Sequence, residues 1–374
     1  MKKIFIHVVI WLFCINLFAI AVNNRLNLNE DSAHYWMGPG KFPVTKTWNP
    51  VEQRVFWDSE WYLDIAKNGY YLRENDQLHN IVFFPLYPML IKVMSYLVLG
   101  NYLLAGWLVS IAALFGAIFY LYKLVKEFHP NVIPEEVIFF ALVFPTAIFF
   151  NAIYTESLFL FLSIATFYYT FKKQFWLAGL LGLLASLTRI SGVFLFIPLV
   201  YELLRQDGFK ELFKSKPYPF LLIPLGTLSF FAFHYLRFGD FLLFMKIEAN
   251  WGRDFNPFKL YLNSPEEFKN FVLTPASYVH FSLDVLFIVF IFIITYLVYK
   301  NLSKTYGIYM FLTAIVPLST GTMMSIGRYI LILFPIYIFA ASIKNEYVKN
   351  TWAFASVLLL AFYTMLYANN YWAG

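Results

Sequence analysis

The chain has 374 residues, of which 60% are hydrophobic, 22% aromatic and only 13% charged. A soluble domain carries roughly 25% charged residues, so this composition excludes an ordinary soluble protein and points to an all-α polytopic membrane protein. The net charge of +6 is spread over loops with no long basic run, which argues against nucleic acid as a partner; the single cysteine, Cys14, excludes disulfides and Cys-ligated metals.

The first element is the apolar run Ile4 to Val22, behind Met1-Lys2-Lys3. Ala19-Ile20-Ala21 resembles a signal-cleavage site. The run is nevertheless long enough to span a bilayer and precedes a polytopic chain. It reads as an uncleaved first transmembrane helix, residues 1–22, with a cytoplasmic N-terminus.

Residues 23–100 form the first outer loop, and its organising stretch is WDSEWYLDIAKNGY, Trp57 to Tyr70. At about 100° per residue, Glu60, Asp64 and Lys67 share a solvated helix face. Asp58 falls opposite, with Trp61, Tyr62 and Ile65. A carboxylate among aromatics needs a reason, because unpaired charge out of water is costly. Asp58 opens the helical pattern, so it is read either as an N-cap or as a functional acid. With Trp61 three residues on, there is no capping box.

Next comes FFPLYPMLIKVMSYLVLG, residues 83–100, interrupted by Pro85, Pro88 and Lys92. If it spanned, Lys123 and Lys126 would lie outside, against the positive-inside rule. It is therefore expected to lie in the interface. The remaining spans are read as Asn101–Tyr122, Val137–Ile153, Leu158–Phe171, Phe175–Thr188, Gly192–Leu204, Pro219–Leu236, Val279–Tyr299, Gly307–Ser325, Tyr329–Ser342 and Trp352–Tyr367, eleven with the first helix. One transmembrane domain results, with helices two to seven in 101–236, a second large outer loop at 237–278 and helices eight to eleven in 279–374. The cytoplasmic segments then hold half of the 28 Lys and Arg, as the positive-inside rule requires.

Four polar sites stand out, all on the outer side of this topology. Asp58 is the first. Glu156, beside Tyr154 and Thr155 in IFFNAIYTESLFLF, is the second; favourable placement in a helix first turn is its plainer explanation. Arg189 lies near the middle of LLGLLASLTRISGVFLFIPL. Two short helices meeting at Thr188–Gly192 would bring its guanidinium to an outward tip, where an anion is its natural partner. Arg328, followed by Tyr329 in GTMMSIGRYILILFP, is the fourth, with snorkelling to the interface as its plainer explanation. His79 and His234 read as structural histidines. There is no phosphate-binding glycine loop, metal-ligand spacing or nucleophile elbow, so neither a cofactor nor a metal is expected.

The blocks WDSEWYLDIAKNGY, FFPLYPML, FPTAIFFNAIYTESLFLFLS, LAGLLGLLASLTRISG and SIGRYILILFP, in that order, resemble the PIG-V family, the GPI mannosyltransferase II group, and its shorter prokaryotic relatives. These are similar to the wider GT-C class of polytopic glycosyltransferases. The resemblance covers about residues 55–205 and 319–337. It implies a polyprenyl-phosphate sugar donor, with mannose the first expectation, and a catalytic acidic residue in the first outer loop, which is Asp58 here. Glu60 matches no such position.

On this reading Asp58 takes the proton of an acceptor hydroxyl, while Arg189 and Arg328 hold the leaving lipid phosphate. Glu156, Tyr154, Trp57, Tyr62 and Tyr329 would line the pocket or bind sugar hydroxyls, and Pro85 and Tyr87 would contact the donor lipid or hold its loop. The acceptor is expected to be a lipid-linked glycan or another cell-envelope molecule at a prokaryotic plasma membrane, with membrane lipids around the protein. The alternative is a flippase or transporter of lipid-linked glycans. It would need a polar path across the bilayer, whereas the polar intramembrane residues cluster on one side.

Overall fold

The computed structural model describes residues 2–23, 51–72, 79–208, 218–251, 253, 275–320, 325–371 and 373. Its helices, in chain order, are α1 (Lys2–Val22), α2 (Asp58–Asn68), α3 (Leu86–Leu97), α4 (Tyr102–Phe128), α5 (Pro134–Leu142), α6 (Glu156–Phe171), α7 (Phe175–Ser186) and α8 (Phe196–Asp207). They continue with α9 (Leu222–Phe238), α10 (Leu243–Glu248), α11 (Pro275–Asn301), α12 (Lys304–Leu318), α13 (Ile326–Leu331), α14 (Pro335–Ser342) and α15 (Glu346–Ala368). No strand occurs among the described residues. The described residues therefore adopt the expected all-α class. About half of the second large outer loop, residues 252 and 254–274, and residues 24–50 and 73–78 of the first lie outside the described residues.

Local chemistry sets the helix ends. The Asn101 side chain accepts from Leu104 N at 3.0 Å to start α4, and Asn345 accepts from Tyr347 N at 3.0 Å to start α15, each satisfying a backbone donor that the first turn leaves open. Prolines interrupt two expected spans. The helix expected over Val137–Ile153 stops at Leu142, ahead of Pro145, and resumes as a 3-10 turn over Ala147–Asn151. Proline lacks the amide donor and disfavours helix in the residue before it. Pro335 divides the span expected over Tyr329–Ser342 into α13 and α14, and Pro317 sits at the end of α12, which stops at Leu318.

Among the described residues five helical segments are long and apolar enough to cross a membrane: Ile4–Val22, Tyr102–Phe128, Tyr218–Phe238, Ser282–Asn301 and Glu346–Ala368. Their outer faces carry open apolar side chains, such as Phe13, Leu236 and Phe354, a surface suited to lipid rather than water. Helix α3 differs. Its 12 residues reach about 18 Å at 1.5 Å each, too short to cross. It buries Tyr87, Ile91 and Ser95 on one side and exposes Met89, Val93, Tyr96 and Leu97 on the other.

The chain divides into two compact units. The first comprises Met1–Gly69, Pro85–Tyr168 and Tyr337–Gly374. Within it α3 lies along α4, α2 packs on both, and α1 packs on α15. Gly106 on α4 makes room for Ile153: a Cβ there would stand 2.7 Å from Cγ2 of Ile153. The second unit comprises Tyr70–Phe84 and Tyr169–Ile336. Here α7 packs on α9 and α11 on α12, and an aromatic cluster joins Tyr70 and Phe84 to Phe230 and Phe244.

Candidate functional site

The site is built around the turn that leads into α2. Ser59 N donates to Phe56 O at 3.3 Å, and Trp57 between them has φ 59° and ψ −118°. Those are the values of the first central position of a type II′ turn, where glycine is the usual residue. A tryptophan there carries about 1–3 kcal/mol of backbone strain, which the surroundings must offset. Tyr154 does part of this. Its hydroxyl donates to Phe56 O at 2.9 Å and accepts from Asp58 N at 3.2 Å, satisfying one of the open amides of the helix start.

The turn is held on its other side through the Arg54 carbonyl. Ser59 Oγ donates to it at 3.3 Å, Tyr367 Oη at 3.2 Å and Ile153 N at 3.3 Å. Asp58 is accordingly not the N-cap that one sequence reading proposed. Trp57 holds that position without a side-chain cap bond, and Asp58 is the first helical residue, where the helix dipole favours an acid. The expected faces of α2 are only partly separated: Trp61, Tyr62 and Ile65 are buried and Lys67 is exposed, but Glu60 and Asp64, expected on the solvated face, are half-buried like Asp58.

Aromatic rings and hydroxyls support this turn. The Tyr62 ring meets Tyr87 edge-on at 5.2 Å and Tyr154 at 6.3 Å. Tyr87 Oη lies 2.6 Å from Ser110 Oγ and donates to Gly106 O at 3.1 Å, and Ser110 Oγ donates to Tyr154 O at 3.3 Å. Trp57, Asp58, Tyr62, Tyr87 and Tyr154 thus form one cluster. Glu156, two residues beyond Tyr154, is fully buried at the start of α6, and Pro85 stands at the N-terminal end of α3.

Sequence reasoning overlooked Arg54, which is fully buried. Its guanidinium donates to Asn16 Oδ1 on α1. Asn151 Nδ2 donates to the same oxygen at 3.2 Å, and Trp107 Nε1 donates to Asn151 Oδ1 at 2.9 Å. Burial lowers the Arg54 pKa to about 10, leaving it cationic at neutral pH, and among the described residues no carboxylate pairs with it. The signal was present in the sequence as Asn16, an amide inside the first apolar run.

In the second unit α7 ends at Ser186, Arg189 is extended, and a 3-10 turn over Ile190–Leu195 leads into α8. This is the break expected at Thr188–Gly192. Gly192 is required there, since a Cβ would stand 2.4 Å from the carbonyl carbon of Ala185. The Arg189 guanidinium lies 4.9 Å from the centre of the Tyr329 ring. Arg253 lies 5.7 Å from the same ring, donates to Tyr329 Oη at 3.0 Å and pairs with Glu248 at 3.7 Å. Sequence reasoning missed Arg253 because its loop has no helical pattern to place it. Arg328 is 3% exposed, so it does not snorkel to the surface as its plainer reading supposed. His79 and His234 are buried, the latter packed on Phe230 with ring centres 4.3 Å apart. Among the described residues no group of three or more His, Cys, Asp or Glu could hold a metal.

No curated protein matches the chain. Among solved structures, the chain is similar to ArnT from Cupriavidus metallidurans bound to undecaprenyl phosphate, at 12% identity and a TM-score of 0.50. The likeness covers 89% of this chain but 59% of that one, so the chain spans little more than half of ArnT's length and shares its fold. The family model described as Mannosyltransferase (PIG-V) matches residues 3–244, a stretch that contains Asp58, Tyr154, Glu156 and Arg189. By that match over more than half of its length, with the Asp58 turn inside it, the chain belongs to the PIG-V mannosyltransferase family.

Proposed function

We propose that the protein is a membrane glycosyltransferase that moves a hexose, mannose in the first instance, from a polyprenyl-phosphate sugar to a lipid-linked or cell-envelope acceptor. The observation that carries this reading is the half-buried Asp58 at the head of α2, held by the Tyr154 hydroxyl within the family-matched stretch. The undecaprenyl phosphate bound to ArnT supports the donor class. Asp58 accepts the proton of the acceptor hydroxyl as that oxygen attacks the anomeric carbon. The bond from that carbon to the phosphate oxygen breaks, and its electron pair stays on the phosphate. Arg189 and Arg328 stabilise the charge that develops there, and the reading assigns no metal to this step. Trp57, Tyr62, Pro85 and Tyr329 shape the binding surfaces, and the fully buried Tyr87, Tyr154 and Glu156 support them from within.

The reaction belongs on the outer face of a prokaryotic plasma membrane, in a topology of eleven spans with a cytoplasmic N-terminus. The interfacial character of α3 and the basic residues of the opposite loops support this arrangement. The test is transfer from radiolabelled polyprenyl-phosphate mannose to a membrane-lipid extract by detergent-purified protein, wild type against Asp58→Asn. Loss of transfer by at least about a hundredfold, as general-base removal gives, with an unchanged thermal melt, is the expected result. Equal transfer by both proteins would move the base elsewhere, with Glu156 next. If neither transfers mannose or another hexose, the flippase reading takes its place.

A further inference from the structure

We propose that Tyr154 is a positioning residue whose hydroxyl latches the strained turn and so sets where the Asp58 carboxylate stands. The inference rests on the transferase reading for its consequence, and on the turn geometry alone for the latch.

The residue that carries the unfavourable backbone conformation, Trp57, lies between the two groups that Tyr154 bridges. On one side the phenol donates to Phe56 O, and on the other it accepts from Asp58 N. One oxygen therefore spans the strained position. A φ of 59° is not the rest conformation of tryptophan. Without the bridge the peptide planes flanking Trp57 are held less firmly, by the turn's own bonds from Ser59 N to Phe56 O and from Glu60 N to Trp57 O, and rotate toward a relaxed φ. Asp58 is the next residue and the first of α2. Any such rotation is passed directly to the direction of its side chain. A displacement of about 1 Å at a reacting group costs on the order of a hundredfold in rate.

Tyr154 is suited to act as a fixed post. It is fully buried, and its ring is set at steep angles against Phe149 at 4.9 Å and Tyr367 at 6.3 Å. Its own carbonyl accepts from Ser110 Oγ on α4. The ring cannot follow the turn if the turn relaxes, and the hydroxyl acts from a rigid frame. A phenol that only filled space would not need its oxygen within hydrogen-bond distance of both sides of the one strained residue.

The experiment compares wild type, Tyr154→Phe and Tyr168→Phe as purified full-length protein. Tyr168 is a control in the same unit, where the lost bond runs to Glu127 Oε1 at 2.8 Å, away from the turn. Two readouts are taken: steady-state transfer from polyprenyl-phosphate mannose, and hydrogen–deuterium exchange of the peptide covering residues 55–61. For Tyr154→Phe, kcat is expected to fall about 10- to 100-fold with the donor KM within about twofold, and exchange over 55–61 to accelerate. Tyr168→Phe keeps kcat and the slow exchange. An unchanged kcat, or a raised donor KM with kcat kept, would overturn the proposal, the second by assigning the hydroxyl to substrate. Unchanged exchange would overturn the latch itself.

Adding Trp57→Gly to Tyr154→Phe supplies a rescue, because glycine adopts this φ without strain. Slow exchange over 55–61 is expected to return, and continued fast exchange counts against the latch. If the wild type transfers no hexose, the transferase reading fails while the exchange measurements still decide the latch.

Discussion

Two arginines expected to face a phosphate sit on different local supports, and this decides how each responds to substitution. Arg189 is extended at a helix break and lies over the Tyr329 ring at 4.9 Å, a cation–π contact that a planar guanidinium makes well. Arg328 is buried on α13. Lysine at either position keeps the charge but loses the planar fork. Arg189→Lys and Arg328→Lys are each expected to raise the donor KM about tenfold, the worth of one charge-assisted hydrogen bond, as read in initial-rate transfer assays. An unchanged donor KM in both variants would remove them from phosphate binding. The dependence of Arg189 on Gly192 is also a residue-scale matter. The tight return of the chain past Ala185 leaves no room for a Cβ, which is why a glycine follows the arginine so closely.

Between elements, the buried relay Trp107–Asn151–Asn16–Arg54 ties α1 to the segment that enters the Asp58 turn. Its energetics are asymmetric. Removing the acceptor strands a buried guanidinium, whereas removing both partners leaves an uncharged donor, Asn151 Nδ2, without that acceptor, and unmade bonds to buried charges are the more expensive ones. Asn16→Leu is therefore expected to destabilise by roughly 2–4 kcal/mol. The double variant Asn16→Leu with Arg54→Met is expected to recover much of that loss. Thermal melts of the two singles and the double, arranged as a cycle, check this. A double variant less stable than Asn16→Leu would show that the arginine stabilises through something other than this bond. The same scale explains why helix lengths departed from expectation. Apolar runs located the segments from Val137 and from Tyr329, but Pro145 and Pro335 cut them into shorter helices, since a run of hydrophobic residues reports burial and not backbone continuity.

For the whole molecule, the outer location proposed for Asp58 rests on the distribution of basic residues and is open to direct test. In a Cys14→Ala background, a cysteine at Lys67 is expected to react with an impermeant thiol reagent in intact cells, and one at Lys173 only after lysis. Both positions are exposed, so access through the membrane, rather than burial, decides the result. The reverse pattern would place the Asp58 turn in the cytoplasm.

Composition and hydropathy alone determined that the chain is all-α and built for a bilayer, because an apolar solvent obliges every backbone group to bond within its own helix. The polar residues set among apolar ones, Asp58, Glu156, Arg189 and Arg328, were legible for the same reason: each must be justified against the cost of its burial. The strained conformation of Trp57, the Tyr154 bridge across it, the buried cation of Arg54 and the approach of Arg253 to Tyr329 were decided only by the tertiary structure. These depend on pairs of residues as much as 313 positions apart, Tyr367 and Arg54, and no local periodicity records which distant hydroxyl or ring the fold will bring to a given backbone group.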